Sequence, residues 1–176
     1  MRQVSNEKKG YNTVVIAGVF LLGAFICFLN STFMNVALSD IMADLKISVS
    51  TVQWLSTGYM LATGIIIPFS AFLIDRFKNR TLFFISIGMF TIGTFIGAFA
   101  TNFPMLLAAR LIQGLASGLI VPLMQTVFFS IFPIEKRGFA MGIVGIVIAF
   151  APAIGPTLSG WIISKYPWRH LFYVTA

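Results

Sequence analysis

Arg110 is the side chain whose position most needs a chemical reason. It lies inside the apolar stretch Met105 to Ser130, with Gln113 three positions on and Gly114 four on; Ser117 and Gly118 extend the same helical face. A guanidinium stays charged at any physiological pH and is strongly disfavoured in hydrocarbon. At such depth it usually faces a bundle interior or a wet cavity and marks a transport path. The plainer reading is a long side chain snorkelling to the interface, but the small, polar face around it favours the interior. A second polar set, Asn30, Ser31, Thr32 and Asn35, interrupts the first apolar stretch. Helical rise puts Arg110 roughly 8 Å and Asn30 roughly 12 Å from the same end of their helices. The two could line one cavity, although spacing alone does not make them meet. Arg110, Asn30 and Gln113 are thus the candidates for transport and coupling. Gln53, Thr57, Thr63, Gln125 and Thr126 are weaker ones, since polar side chains between helices also act as packing glue worth about 0.6–2 kcal/mol each.

Catalysis has no comparable support. Glu7, Asp40, Asp44, Asp75 and Glu135 all fall in connectors, so no carboxylate lies deep in an apolar stretch. His170 stands alone beside Arg169, and Cys27 is the single cysteine, so the sequence suggests neither a metal site nor an internal disulfide. No nucleophile elbow and no phosphate-binding loop occurs. The expectation is that the protein is not an enzyme, with no catalytic residues, no metal and no cofactor.

The elements that must position Arg110 follow from composition. Of 176 residues, 58% are apolar and 10% charged, whereas a soluble domain has roughly a quarter charged. The class is all-α integral membrane. Apolar runs of about twenty residues predict spans over about 14–38, 51–74, 81–100, 105–130 and 139–164, with the start of a sixth at about 169. The domain reading is a tail over 1–13 and a transmembrane bundle over 14–176, the N-terminal portion of a longer protein whose remainder is missing. Ser50 and Gln53 have capping-box spacing before the second span, Asn102 with Pro104 can start the fourth, and Pro133 precedes the fifth. Lys and Arg divide unevenly between alternate connectors. Arg2, Lys8, Lys9, Arg76, Lys78, Arg80, Lys136 and Arg137 lie on one side, and Lys46, Lys165 and Arg169 on the other. Positive charge accumulates on the cytoplasmic side, so the N-terminus is expected in the cytoplasm. The net charge of +7 is then a topology signal, and no nucleic-acid partner is needed.

The spans carry small residues and prolines beyond what an inert anchor needs. Gly93 with Gly97, and Gly114 with Gly118, form GxxxG pairs that let helix backbones approach closely. In the fifth span Gly138, Gly142, Gly145, Ala149, Pro152, Pro156 and Ser159 lay one stripe along a face. Tight packing within the bundle is one reading of that stripe; a helix that slides or bends against a neighbour is the other. Pro68, Pro122, Pro152 and Pro156 lie within spans, where proline removes a backbone hydrogen bond and kinks the helix. Tyr11, Trp54, Trp161, Tyr166 and Trp168 fall near span ends, as interfacial belts do.

Four stretches together resemble the major facilitator superfamily, and within it the fourteen-span multidrug:proton antiporters. Leu73-Ile74-Asp75-Arg76-Phe77-Lys78-Asn79-Arg80 is similar to the loop G-x-L-a-D-r-x-G-r-k, with Ala71 and Lys78 in place of its glycines. Leu106-x-x-x-Arg110-x-x-Gln113-Gly114-x-Ala116-Ser117-Gly118 resembles l-x-x-x-R-x-x-q-G-x-g-a-[AG]. Ala151-Pro152-Ala153-Ile154-Gly155-Pro156-Thr157-Leu158-Ser159-Gly160 resembles the antiporter motif g-x-x-x-G-P-x-x-G-G. Leu29-Asn30-Ser31-Thr32-x-x-Asn35-Val36-Ala37-Leu38-Ser39 resembles l-D-x-T-v-x-N-v-A-l-P, and Trp168-Arg169 suits the start of a sixth helix. The resemblance runs from about Ala24 onward.

It implies the N-terminal half of a major-facilitator-type bundle in the cell membrane, multi-pass, working by alternating access against the remaining transporter half. The implied function is efflux of lipophilic or cationic drugs, with the proton gradient as energy source. The implied partners are a small-molecule substrate and the lipid bilayer. Asp75, Arg76 and Arg80 would form a cytoplasmic latch, Arg110 would take part in proton coupling, and Gly155, Pro156 and Gly160 would form the antiporter motif of a pliable fifth helix. Alternatives are a metabolite facilitator of the same superfamily and a non-transporting membrane sensor or scaffold. One departure matters: the family pattern has an acid where this chain has Asn30, and an amide does not titrate. A proton-binding carboxylate must then lie in the missing portion, or Asp75 must serve.

Overall fold

The computed structural model describes residues 13–175. Arg2, Glu7, Lys8, Lys9 and Tyr11 of the expected tail lie outside the described residues. The chain forms α1 (Thr13–Leu45), α2 (Val49–Arg76), α3 (Asn79–Ala98), α4 (Phe103–Ile131), α5 (Ile134–Lys165) and α6 (His170–Thr175). The first five are long and apolar enough to cross a membrane, and the molecule is an all-α, multi-pass membrane protein.

The helices overrun the apolar runs that announce them. α1 continues from Leu38 to Leu45, because Ala37 and Ile41 keep the buried face going while Ser39, Asp40 and Asp44 turn outward. Its 33 residues span about 50 Å, well beyond the roughly 30 Å of a hydrocarbon core. Hydropathy marks where lipid ends, and the helix ends later. α5 likewise begins at Ile134 rather than near 139, with Glu135 in a first turn whose exposed N–H groups favour an acid.

Two of the expected helix starts hold and one shifts. Asn102 caps α4 by accepting from the Met105 N–H at 3.0 Å, with Pro104 in the first turn. Pro133 stands at the cap position of α5. In α2 the cap is Ser48, whose hydroxyl accepts from the Thr51 N–H at 3.2 Å. The capping-box spacing of Ser50 and Gln53 is thus not the one used, because Ser48 comes first after the turn and already offers its oxygen to the free N–H groups.

α4 is the central element. It packs most extensively against α2 and α3 and also touches α1 and α5; α1 lies along α5, and α6 enters among α1, α3 and α5. Glycine permits the closest approaches. A methyl group on Gly114 would come within 2.6 Å of the Tyr59 carbonyl oxygen, and one on Gly118 within 2.9 Å of the Thr63 oxygen. One GxxxG pair therefore seats α4 on α2. The other pair serves two partners: Gly93 faces Gln113 and Ala109 of α4, whereas Gly97 meets the Phe172 ring of α6.

The α5 stripe, Ser159 excepted, is not buried in this bundle. Gly138, Gly142, Gly145, Ala149, Pro152 and Pro156 are exposed, and α5 instead buries Ala140, Val144, Ala151, Gly155, Ser159 and Ile162 against its neighbours. Apart from Ser159 the stripe does not pack the described helices together; the neighbouring face of α5 makes the contact with α1, where Gly155 lies against Thr32.

Two apolar clusters make the core. One, with Phe20, Leu82, Phe90, Ile120 and Leu123, lies toward the α2–α3 and α4–α5 connectors, here termed the basic end. The second, with Phe33, Met34, Ile41, Leu55, Leu106 and Phe172, lies toward the opposite end. Between them runs a thin buried polar layer containing Asn30, Thr94, Arg110, Gln113 and Thr175. Large apolar side chains such as Ile65, Phe69, Phe72, Phe84 and Ile92 cover the outside, as a lipid-solvated surface requires.

The close approach of α4 to α2 gives a direct test. Gly114→Ala should lower the melting temperature of the detergent-purified protein, since backbone must move to admit the methyl group. Gly88→Ala, where nothing lies within 4 Å, should leave it unchanged or raise stability by up to about 1 kcal/mol through helix propensity. Equal melting temperatures for the two variants would contradict the assigned packing.

Candidate functional site

Arg110 is fully buried, seven positions into α4 and level with the polar layer. It does not snorkel. Its Nη1 donates to Asn30 Oδ1 at 2.8 Å and to Gln113 Oε1 at 3.0 Å. Its Nε points at the Leu55 carbonyl oxygen of α2 at a longer 3.4 Å, and its charged carbon stands 4.2 Å from the centre of the Tyr59 ring. The three candidates Arg110, Asn30 and Gln113 thus form one contiguous site, assembled from α1 and α4 and closed by α2.

The site extends to two residues that the sequence did not single out. Asn30 Nδ2 donates to Thr175 Oγ1 of α6 at 2.9 Å, and Gln113 Nε2 donates to Thr94 Oγ1 of α3 at 2.9 Å. Both threonines are buried. Threonine in a span is common, and its hydroxyl usually satisfies itself on the preceding turn. No spacing rule links residues on four separate helices, so tertiary packing alone reveals them.

The electrostatics are those of a cation held by dipoles. Among the described residues the guanidinium has no carboxylate partner; the ion pair present is Arg169 with Asp44, at the end of the bundle opposite the basic one. Desolvating a full charge carries a penalty of several kcal/mol. Hydrogen bonds to a charged group return about 1.5–3 kcal/mol each, and a desolvated cation–π contact about 2 kcal/mol. The arrangement is therefore tolerable only while every acceptor keeps its oxygen or ring face toward Arg110.

The other expected site residues are dispersed. Asp75, Arg76 and Arg80 are exposed at the basic end, with Arg80 lying 5.7 Å from the Phe84 ring centre. Gly155 is buried, and a methyl group there would come within 2.5 Å of the Thr32 side chain on α1; Pro156 and Gly160 are exposed. Asn35, by contrast, is exposed and accepts from the Ser56 hydroxyl at 2.7 Å, so the polar set on α1 splits between interior and surface. Gln53, Thr57, Gln125 and Thr126 stay outside the Arg110 network, and Thr63 donates to the Gly114 carbonyl oxygen at 3.1 Å.

Opposite the basic end the structure shows a clamp that the sequence did not suggest. Arg169 donates from Nη1 to Asp44 Oδ2 at 2.8 Å and from Nη2 and Nε to the Ala100 carbonyl oxygen at 3.0 and 3.2 Å. Trp168 donates from Nε1 to the same Asp44 oxygen at 3.1 Å and stacks under Arg169, 4.2 Å from ring centre to guanidinium carbon. Trp168 is buried and so is no interfacial belt residue; the overrun of α1 carries Asp44 within its reach.

The profile of the Major Facilitator Superfamily matches residues 20–176, nearly the whole chain. The chain belongs to that superfamily. It is 55% identical over 170 residues to the uncharacterized MFS-type transporter YcnB of Bacillus subtilis, covering 97% of this chain and 36% of that protein. It is 46% identical over 175 residues to the lincomycin resistance protein LmrB of the same organism, covering 99% of this chain and 36% of that one. The multidrug resistance protein B homolog of Mycobacterium tuberculosis is 35% identical over 158 residues, covering 90% of this chain and 29% of its own length. The chain thus spans about a third of the length of these curated relatives. Its fold matches a bacterial homologue of the human lysosomal transporter Spinster, in an inward-facing and occupied conformation. The TM-score is 0.70 at 16% identity, over 92% of this chain and 41% of that one.

Membership of this superfamily points to a transporter rather than a catalytic enzyme. For the site itself, Asn30→Leu should destabilise the protein by about 1–3 kcal/mol, because a buried charge loses an acceptor. Asn35→Ala at the exposed Ser56 contact should stay within about 0.5 kcal/mol. Chemical denaturation of the purified variants separates the two, and equal losses would remove Asn30 from the charged network.

Proposed function

We propose that this chain is one half of a secondary exporter of lipophilic or cationic compounds, working by alternating access in the cell membrane with its N-terminus in the cytoplasm. The observation that carries the reading is the burial of Arg110 in the interior of the bundle, gathering α1, α2 and α4 around one charge. A side chain so unfavourable in a membrane is kept for what it does during transport. The relatives named for resistance to lincomycin and to multiple drugs support export over uptake and over a sensor. Orientation rests on the excess of Lys and Arg at the basic end.

The exposed stripe on α5, with Pro152 and Pro156, is the surface proposed to slide against the facing half. Asp75, Arg76 and Arg80, unpaired among the described residues, are proposed to latch the cytoplasmic side through a partner on that half. Proton influx is the proposed energy source. Asn30 cannot bind the transported proton, so the titrating acid is assigned to the part of the transporter beyond this chain.

Efflux of ethidium and of lincomycin from cells expressing the complete protein, with and without a protonophore, tests this reading. Arg110→Ala should abolish efflux while the protein still inserts, and Pro156→Leu should reduce turnover more than expression. Full efflux by Arg110→Ala would overturn the assignment, and efflux untouched by the protonophore would remove the proton.

A further inference from the structure

The hydrogen bonds around Arg110 have a single direction. Arginine only donates, so any amide touching it must present its oxygen. That turns the Asn30 Nδ2 toward Thr175 and the Gln113 Nε2 toward Thr94, and each threonine oxygen must then accept. Each hydroxyl proton is left to donate onward to the carbonyl oxygen four residues back in its own helix. Thr175 reaches Leu171 at 3.1 Å and Thr94 reaches Phe90 at 2.8 Å. Two arms of identical chemistry therefore leave one guanidinium: amide, threonine, helix carbonyl. One arm ends on α6, the other on α3.

We propose that Thr94 and Thr175 are positioning residues, each locking one amide with its carbonyl toward Arg110 so that the guanidinium is held as a permanent cation by oriented dipoles. A free amide rotates about its last torsion with little restraint, and half a turn would aim an N–H₂ at a cation. The threonine removes that second state by accepting only from nitrogen while its own proton is committed to the helix. No carboxylate of the described residues contacts the guanidinium. The Tyr59 ring of α2 lies under the guanidinium. α3 and α6 contribute only their threonines. The two amides pass no proton onward as drawn, so the arms hold charge and do not relay it. This deepens the transport reading by naming what keeps Arg110 in its working geometry, and it rests on that reading only for the efflux measurement.

The test compares Thr→Val, which keeps shape and loses the hydroxyl, with Thr→Ser, which keeps the hydroxyl and loses a methyl group. In the complete protein Thr94→Val and Thr175→Val should each lower the melting temperature by about 2–4 °C. Each should reduce the maximal rate of ethidium efflux about tenfold, the equivalent of about one hydrogen bond, with the half-saturating ethidium concentration unchanged. Thr94→Ser and Thr175→Ser should restore both readouts. In an Arg110→Met background the valine substitutions should no longer lower the melting temperature, since no cation remains to be served. The opposite pattern, valine tolerated and serine damaging, would show that the methyl groups only pack, and would overturn the proposal. An undiminished loss in the Arg110→Met background would overturn it too. Where that background fails to accumulate, the valine–serine comparison decides alone. A wild-type protein that does not expel ethidium would defeat the export reading for that compound, while the melting temperatures would still decide the role of the threonines.

Discussion

The structure depends on keeping one positive charge inside a membrane bundle without an opposite charge beside it. Arg110 is fully buried, and the groups that face it are a carbonyl oxygen, two amide oxygens and an aromatic face. Such dipoles stabilise a cation only when oriented, which ties the charge to the conformations of five helices at once. α1 supplies Asn30, α2 supplies Leu55 and Tyr59, α4 supplies Gln113, and α3 and α6 supply the threonines behind the amides. A shift of any of these helices would leave an acceptor misdirected and a charge partly desolvated. The polar layer therefore acts as a register mark between two apolar clusters that by themselves would tolerate sliding.

Close packing and electrostatics reinforce each other at this level. Gly93 admits the aliphatic part of Gln113, and Gly114 lets α4 settle on the backbone around Tyr59. Larger residues at either position would push apart the helices that bring acceptors to the guanidinium. Small residues on α5 do something different: apart from those that meet α1, they face outward. The bundle is thus closely packed around Arg110 and carries, on its outside, an exposed face of prolines and glycines. Away from the basic end, Asp44, Trp168, Arg169 and the Ala100 carbonyl join the overrun of α1 to two connectors, so the ends of these helices are tied together. Under the proposed alternating-access reading, this division between a packed interior and a free face is what rocking requires.

Much was legible in the chain because a bilayer imposes simple rules. Lipid demands long apolar helices with internally satisfied backbones, so span number, the close approach of helices at the glycine pairs and the resemblance to a transporter family all followed from composition and short motifs. Arg110 stood out because a charge is rare at that depth, and its small, polar neighbours marked the face it shares. Less could be read at helix ends, where α1 continues past its apolar run to Asp44 and α2 takes its cap from Ser48 rather than Ser50. Hydropathy reports the solvent around a helix, whereas its length is decided by caps and by the partners it meets outside the lipid.

The sequence by itself determined the class of molecule, the family and the existence of a charge that needed an interior, since these depend on residue type and on local period. Tertiary structure alone decided which groups answer that charge. Asn30 and Arg110 are 80 positions apart, Asn30 and Thr175 are 145 apart, and helical periodicity carries no information across such distances. It also decided that the α5 stripe faces away from its neighbours and that Trp168 serves a carboxylate rather than an interface. The physical reason is the same in each case. A helix fixes the angles between its own side chains, but what they touch is set by how whole helices are rotated and shifted against one another.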